Sequence, residues 1–173
     1  RLENITVWTV GPGGPPEFNF SKIQAAINNT KTKPGDEIWV YPGDYNENLF
    51  IDKHLTIMSV SGAENTIIDS TNISNVDTVK ISGADVHGCV FKGFTLKGFT
   101  PEYSGIRVHN VNYCNISDNY IEVIENDYKE SYGIYLSKSY ECNVSNNTIS
   151  ANSKYDIGIK LKNSNSNEVY KNN

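Results

Sequence analysis

Arginine is nearly missing from this sequence: Arg1 and Arg107 are the only two. Acidic residues outnumber Lys and Arg by 20 to 15, a net charge of -5. With no basic excess to grip a phosphate backbone or an anionic bilayer, neither nucleic acid nor a membrane surface is expected as a partner. No apolar run approaches the roughly 20 residues a membrane-spanning helix requires. Methionine occurs once, and His54 and His87 stand without partners at metal-ligand spacing, so no metal site of His and Met is expected. The first residue, Arg1, is neither an initiator Met nor the start of a signal peptide, and the chain reads as a processed mature protein or an excised fragment. Cysteine is limited to Cys89, Cys114 and Cys142, an odd number that cannot all pair.

What the sequence does contain is a repeat. Gly105–Ile121, Gly133–Ile149 and Gly158–Asn173 align without gaps, with glycine-to-glycine steps of 28 and 25 residues. Ile106, Ile134 and Ile159 share a column, as do Val108, Leu136 and Leu161. Cys114, Cys142 and Asn167 follow, then Ile116, Val144 and Val169, then Asn119, Asn147 and Asn172. A period of this length marks a solenoid, whose single repeats cannot bury their own apolar faces. Within each repeat, triplets such as Ile106-Arg107-Val108 alternate apolar and polar, the periodicity of a strand. Three such triplets per repeat, separated by Asn, Ser, Gly and Asp, predict a parallel β-helix rising about 4.8 Å per coil. Val79-Lys80-Ile81, Cys89-Val90-Phe91 and Leu96 extend the pattern backward, giving about five coils.

Residues 1–37 precede the repeats and are expected to hold a first strand over Thr6–Val10 and a helix over about Phe20–Asn29; residues 38–173 form the solenoid, the whole being one structural domain. Ser21 and Gln24 have the form of a capping box. Phe20, Ile23, Ala26 and Ile27 make an apolar face that fits a lid over the open N-terminal end. Pro42-Gly43 predicts a tight turn, and Leu49–Ile51, Leu55–Ile57 and Thr66–Ile68 the following strands.

Phe20–Ile27, Pro34–Tyr45, Glu47–Ile51 and Leu55–Ile57 together resemble the start of right-handed β-helix proteins of the pectin-lyase-like superfamily. The repeats after them are similar to its NosD-like branch, found among exported and archaeal cell-surface proteins. The resemblance implies an all-β, right-handed parallel β-helix with an N-terminal capping helix and an extracellular or cell-surface location. It implies no activity, because these coils carry many unrelated functions.

Candidate chemistry is sparse. The cysteine column adjoins buried Ile and Val positions and reads as small apolar packing rather than a metal site or disulfides. The asparagine column is expected to stack its amides along the axis and to tolerate left-handed backbone at a bend. Gly105, Gly133 and Gly158 are expected to serve sharp turns. With Ile106 and Val108 inward, Lys80, Arg107, His109, Tyr135 and Lys160 face out, near loops carrying Tyr103, Tyr132 and Tyr155. Flat aromatic area beside cations and amides suits sugar recognition, so these residues form the candidate carbohydrate surface. Hydrolysis of glycans needs paired carboxylates on one face, and the outward positions of the first strand of each repeat, Lys, Ser, Arg, His and Tyr, hold none; no catalytic residue is assigned.

No cofactor is expected: the carboxylates of the loop Glu125–Glu130 could take Ca²⁺, but they read first as a solvated acidic loop. Asn-x-Ser/Thr triplets at Asn4, Asn19, Asn28 and Asn72 are glycosylation candidates of an exported chain. The expected function is that of a non-catalytic, exported or cell-surface module. Its expected partners are carbohydrate or another cell-envelope polymer, and further coils or a second copy at the C-terminal edge. A fragment of a polysaccharide lyase or hydrolase, and a sugar-binding adhesin or tail-fibre part, are the rival readings.

Overall fold

The computed structural model describes residues 4–123, 129–151 and 153–173. Strand β1 (Val7–Val10) and helix α1 (Ile23–Asn28) come first. Five complete three-strand coils follow. They are β2 (Glu37–Val40), β3 (Gly43–Tyr45) and β4 (Leu49–Ile51); β5 (Thr56–Ser59), β6 (Thr66–Asp69) and β7 (Val79–Ser82); and β8 (Val90–Lys92), β9 (Thr95–Lys97) and β10 (Ser104–His109). The fourth is β11 (Asn115–Ser117), β12 (Tyr120–Glu122) and β13 (Ser131–Ser137). The fifth is β14 (Asn143–Ser145), β15 (Thr148–Ser150) and β16 (Asp156–Lys162), and β17 (Glu168–Tyr170) begins another turn.

Every pairing is parallel and joins a strand to its equivalent one coil away. This stacks three sheets: β1-β2-β5-β8-β11-β14-β17, β3-β6-β9-β12-β15 and β4-β7-β10-β13-β16. The register matches the expected columns: Val79, Ile106, Ile134 and Ile159 align, and Phe91 aligns with Ile116, Val144 and Val169. The aligned aliphatic rows fill the interior. Ile81, Val108, Leu136, Phe91, Ile116 and Val144 are all fully buried, each contributing roughly 1.5–3 kcal/mol of hydrophobic stabilisation. On the last coil the same columns face solvent, with Leu161 42% and Val169 43% exposed.

Several expectations are corrected. Pro42-Gly43 does not isolate a turn: Gly43 starts β3, and Tyr45 on that strand is buried. The helix is shorter than expected, and the Ser21–Gln24 capping box does not form. Instead Glu47 accepts hydrogen bonds from the Ile23 and Gln24 N–H groups at 2.8 and 3.0 Å. A carboxylate serves better here than a hydroxyl, because it satisfies two orphan donors and complements the positive end of the helix. The Gln24 amide is thereby free for the edge of β4, where it accepts from the Phe50 N–H and donates to the Phe50 carbonyl. One side chain thus covers a peptide group that a preceding strand would otherwise pair.

At this bend the left-handed residues are not the stacked asparagines but Asp118, Asn146 and Lys171 just before them, with Gly93 in the same place ahead of Phe94. The asparagines turn inward. Asn147 accepts from both the N–H and Nδ2 of Asn119, at 3.1 and 3.0 Å, and donates to the Ile116 and Ser145 carbonyls. Asn172 repeats this one coil on. Gly105 and Gly133 do not serve turns. They lie within β10 and β13, where a Cβ on Gly133 would come within 2.6 Å of the Gly158 carbonyl oxygen. Close backbone approach at this corner, not bend geometry, requires glycine.

Candidate functional site

The outer face of the β4-β7-β10-β13-β16 sheet carries one continuous row. Phe50, Lys80, Arg107, Tyr135 and Lys160 occupy the same register position on successive strands. The alternation that buries Ile106 and Val108 forces Arg107 outward between them. Its guanidinium lies 4.8 Å from the centre of the Tyr135 ring. The Tyr132 and Tyr135 rings meet at 5.0 Å with a 42° tilt. The Lys160 ammonium lies 4.6 Å from the Tyr132 ring centre and 5.8 Å from that of Tyr135. Cations on aromatic faces are held by the ring quadrupole, which fixes both partners without burying them.

Two carboxylates from loops, Asp77 and Glu130, reach this wall, which the strand pattern did not foretell, and a third, Glu102, lies nearby. Asp77, just before β7, accepts from Arg107 Nε at 3.0 and 2.9 Å and from the Ser104 N–H at 2.7 Å. Glu130, just before β13, accepts from the Tyr132 hydroxyl at 2.6 Å and from Lys160 at 3.1 Å. Glu102 pairs with Lys129 at 2.6 Å. The Tyr132 hydroxyl and Lys160 hold the Glu130 carboxyl below its usual range. Glu130, with Tyr132, in turn pushes the Lys160 ammonium up. Burial, then the bond to Glu130, raises the Tyr132 phenol. Glu130 and Lys160 therefore hold their opposite charges through neutral pH, and Asp77 is paired with Arg107.

Of the expected sugar-binding residues, Arg107, Tyr132, Tyr135 and Lys160 form this one cluster. Tyr103 lies beside it, lining a shallow pocket of about 210 Å³ with Phe50, Asp77 and Lys80. His109 sits one pleat along the strand, between Ser82 and Ser137. Tyr155 is 40% exposed and its ring contact is with Lys154. Phe50, 44% exposed, and Asp77 extend the wall and were missed. The outward alternation of Leu49-Phe50-Ile51 was a readable signal for Phe50; Asp77 lies outside any strand pattern.

The four glycosylation candidates Asn4, Asn19, Asn28 and Asn72 are all exposed, although Asn19 Oδ1 accepts from Thr9. The candidate Ca²⁺ loop, Glu125–Glu130, falls mostly outside the described residues. Among the described residues no group of three or more His, Cys, Asp or Glu side chains is placed to hold a metal ion, and no helix is long and apolar enough to cross a membrane. Cys89, Cys114 and Cys142 are free and buried.

Residues 19–173 match the family model described as "Right handed beta helix region". The chain is 36% identical over 103 residues to a cell surface glycoprotein of Methanothermus fervidus, a match covering 60% of this chain and 16% of that protein. The chain thus spans about a sixth of that relative's length. In fold it is similar to pectin methylesterase PemA from Erwinia chrysanthemi, with a TM-score of 0.55 and 12% identity over 86% of this chain and 56% of the other. It is likewise similar to pectin methylesterase from carrot, with a TM-score of 0.52 and 14% identity over 86% and 54%. At such identities the likeness is one of fold.

Proposed function

The chain belongs to the right-handed β-helix family, and we propose that it is a non-catalytic module of an exported cell-surface protein whose aromatic–cation wall binds carbohydrate. The observation that carries this reading is the Tyr132–Tyr135 pair, held at 5.0 Å between Arg107 and Lys160. Tyrosine rings offer flat apolar area to the C–H face of a sugar, and the flanking donors can bind its hydroxyls. The rings are already fixed by their neighbours, so little side-chain entropy is lost on binding. A surface location is supported by the relationship to a cell surface glycoprotein and fits the exposed Asn-x-Ser/Thr sites. The uncovered rows on the last coil offer further coils, or a second copy of the chain, an edge for strand addition.

A second reading, an enzyme acting on polysaccharide, is favoured by the folds of the pectin methylesterases and by the loop carboxylates that reach the wall. Against it, Asp77 and Glu130 are each bonded to a cation. Glu130, whose carboxyl the Tyr132 hydroxyl and Lys160 hold below its usual range, is a poor proton donor to a leaving group at neutral pH. The experiment is to probe the purified chain on a glycan array and then to incubate each bound glycan with it. Retention without shortened or de-esterified product supports the module; product formation supports the enzyme.

A further inference from the structure

The cysteines form an unbroken column through three coils. Backbone hydrogen bonds of 2.8 Å run from Asn115 N to the Cys89 carbonyl and from Asn143 N to the Cys114 carbonyl, locking the three residues in register. All three side chains are at most 1% exposed. Neighbouring thiols in such a column are set apart by the strand spacing, about 4.8 Å. That is too far for a disulfide, whose sulfurs lie about 2 Å apart and whose Cβ atoms are usually near 3.8 Å. It nearly equals the span of a metal held linearly between two sulfurs, since thiolate bonds to a small d¹⁰ ion run about 2.3 Å, giving about 4.6 Å across.

We propose that Cys114 and Cys142 form a binding site for one soft d¹⁰ cation, held linearly by two sulfurs between adjacent coils. Soft thiolates select such ions over hard ones. The surroundings choose the charge. Ile116 and Val144 beside the column are fully buried, and an uncompensated charge there would be costly. A divalent ion displaces both thiol protons to solvent and forms two metal–sulfur bonds, leaving a neutral bis-thiolate; mercuric ion is the species that meets both conditions. A surface cavity of about 360 Å³ adjoins the Cys142 member of the pair, lined also by Tyr113 and by Glu141 and Glu168, whose carboxylates attract a cation. The Cys142 thiol itself is buried, 3.4 Å from the Tyr140 carbonyl oxygen and 3.6 Å from that of Val111.

The test is titration of the folded chain with mercuric chloride, followed by native mass spectrometry and by proton release in weak buffer. One ion per chain and two protons per ion are expected, with X-ray absorption showing two sulfur neighbours. Cys114→Ala removes the shared member of the column and is expected to weaken binding at least a hundredfold. Cys89→Ala is expected to leave binding unchanged. The double variant Cys89→Ala/Cys142→Ala retains Cys114 but strips it of partners, and is expected to lose linear coordination even where Cys114→Ala folds poorly. Equal affinity in the double variant, one proton per ion, or no uptake by the folded wild-type chain would overturn the proposal.

Discussion

Arg107 reaches back one coil to Asp77, its Nε 3.0 and 2.9 Å from the two carboxylate oxygens. The same carboxylate accepts from the Ser104 N–H, so it ties strand, loop and wall together. Its side chain is 7% exposed and that of Arg107 23%, which puts the pair between a surface bridge and a buried one. Asp77→Ala strands the Ser104 N–H and leaves Arg107 unmatched. It is expected to destabilise by about 1–3 kcal/mol, the range for a buried donor that loses its partner, discounted for solvent screening. Arg107→Lys is expected to recover little, since an ammonium does not reproduce the guanidinium stack on Tyr135. Urea unfolding of both variants checks this; wild-type midpoints would contradict it.

Asn147 is fully buried, and its side-chain amide makes five hydrogen bonds, two from Asn119 and one each to Ile116, Ser145 and Asn172. Replacing it by Ala leaves the Asn119 N–H and the Ile116 carbonyl without their side-chain partner. A loss of about 2–4 kcal/mol is expected, each unsatisfied group costing about 1–3 kcal/mol. Asn147→Asp is expected to be at least as harmful, because it adds a buried charge and removes two donors. Thermal melting by circular dichroism reads both.

Gly133 and Gly158 share a sequence column but not an environment. A Cβ on Gly133 would meet the Gly158 carbonyl oxygen and Ile149 Cγ2, both at 2.6 Å, whereas one on Gly158 meets nothing within 4 Å. Gly133→Ala must therefore move backbone and is expected to cost about 1–3 kcal/mol, as overpacking does. Gly158→Ala is expected to stay within about 0.5 kcal/mol of wild type. Equal effects of the two substitutions would refute the packing explanation.

Asp36 is expected to contribute to the acid limb of stability. Burial raises its pKa, but hydrogen bonds from the Lys33 and Thr6 N–H groups and the Trp8 indole outweigh this and hold the carboxyl below its usual range. A depressed folded pKa contributes stability that is present above the unfolded value and lost as pH falls through the folded one. Acidification below about pH 4 is thus expected to loosen β1 from β2, seen as a shift in Trp8 fluorescence in a Trp39→Phe background. Asp36→Asn is expected to flatten this limb; an unchanged profile would contradict the assignment.

The interior of the solenoid was legible because strand alternation and a coil-length repeat both act on side-chain polarity. Ile106, Ile134 and Ile159, or Phe91, Ile116 and Val144, could be aligned by eye. What pairs through the backbone or a loop was not. Glu47 caps α1 from 24 residues away in sequence, leaving no periodic trace, while Ser21–Gln24 offered a local pattern that lost to it. The glycine column was legible as a column but not in its cause, since crowding between neighbouring coils is invisible in one repeat. The wall was legible in its cations and aromatics, which follow the alternation, and illegible in Asp77 and Glu130, which do not.

Carbohydrate binding by the wall requires that Tyr132 and Tyr135 meet a glycan and leave it intact. The direct measurement is isothermal titration of an array-selected glycan into wild type and Tyr135→Ala, with chromatography of the glycan afterwards. Loss of the ring should weaken binding about tenfold or more, of the order found for truncating an aromatic anchor, with the glycan recovered intact from both. Undiminished affinity in Tyr135→Ala, or a glycan chemically altered by the wild-type chain, would contradict it.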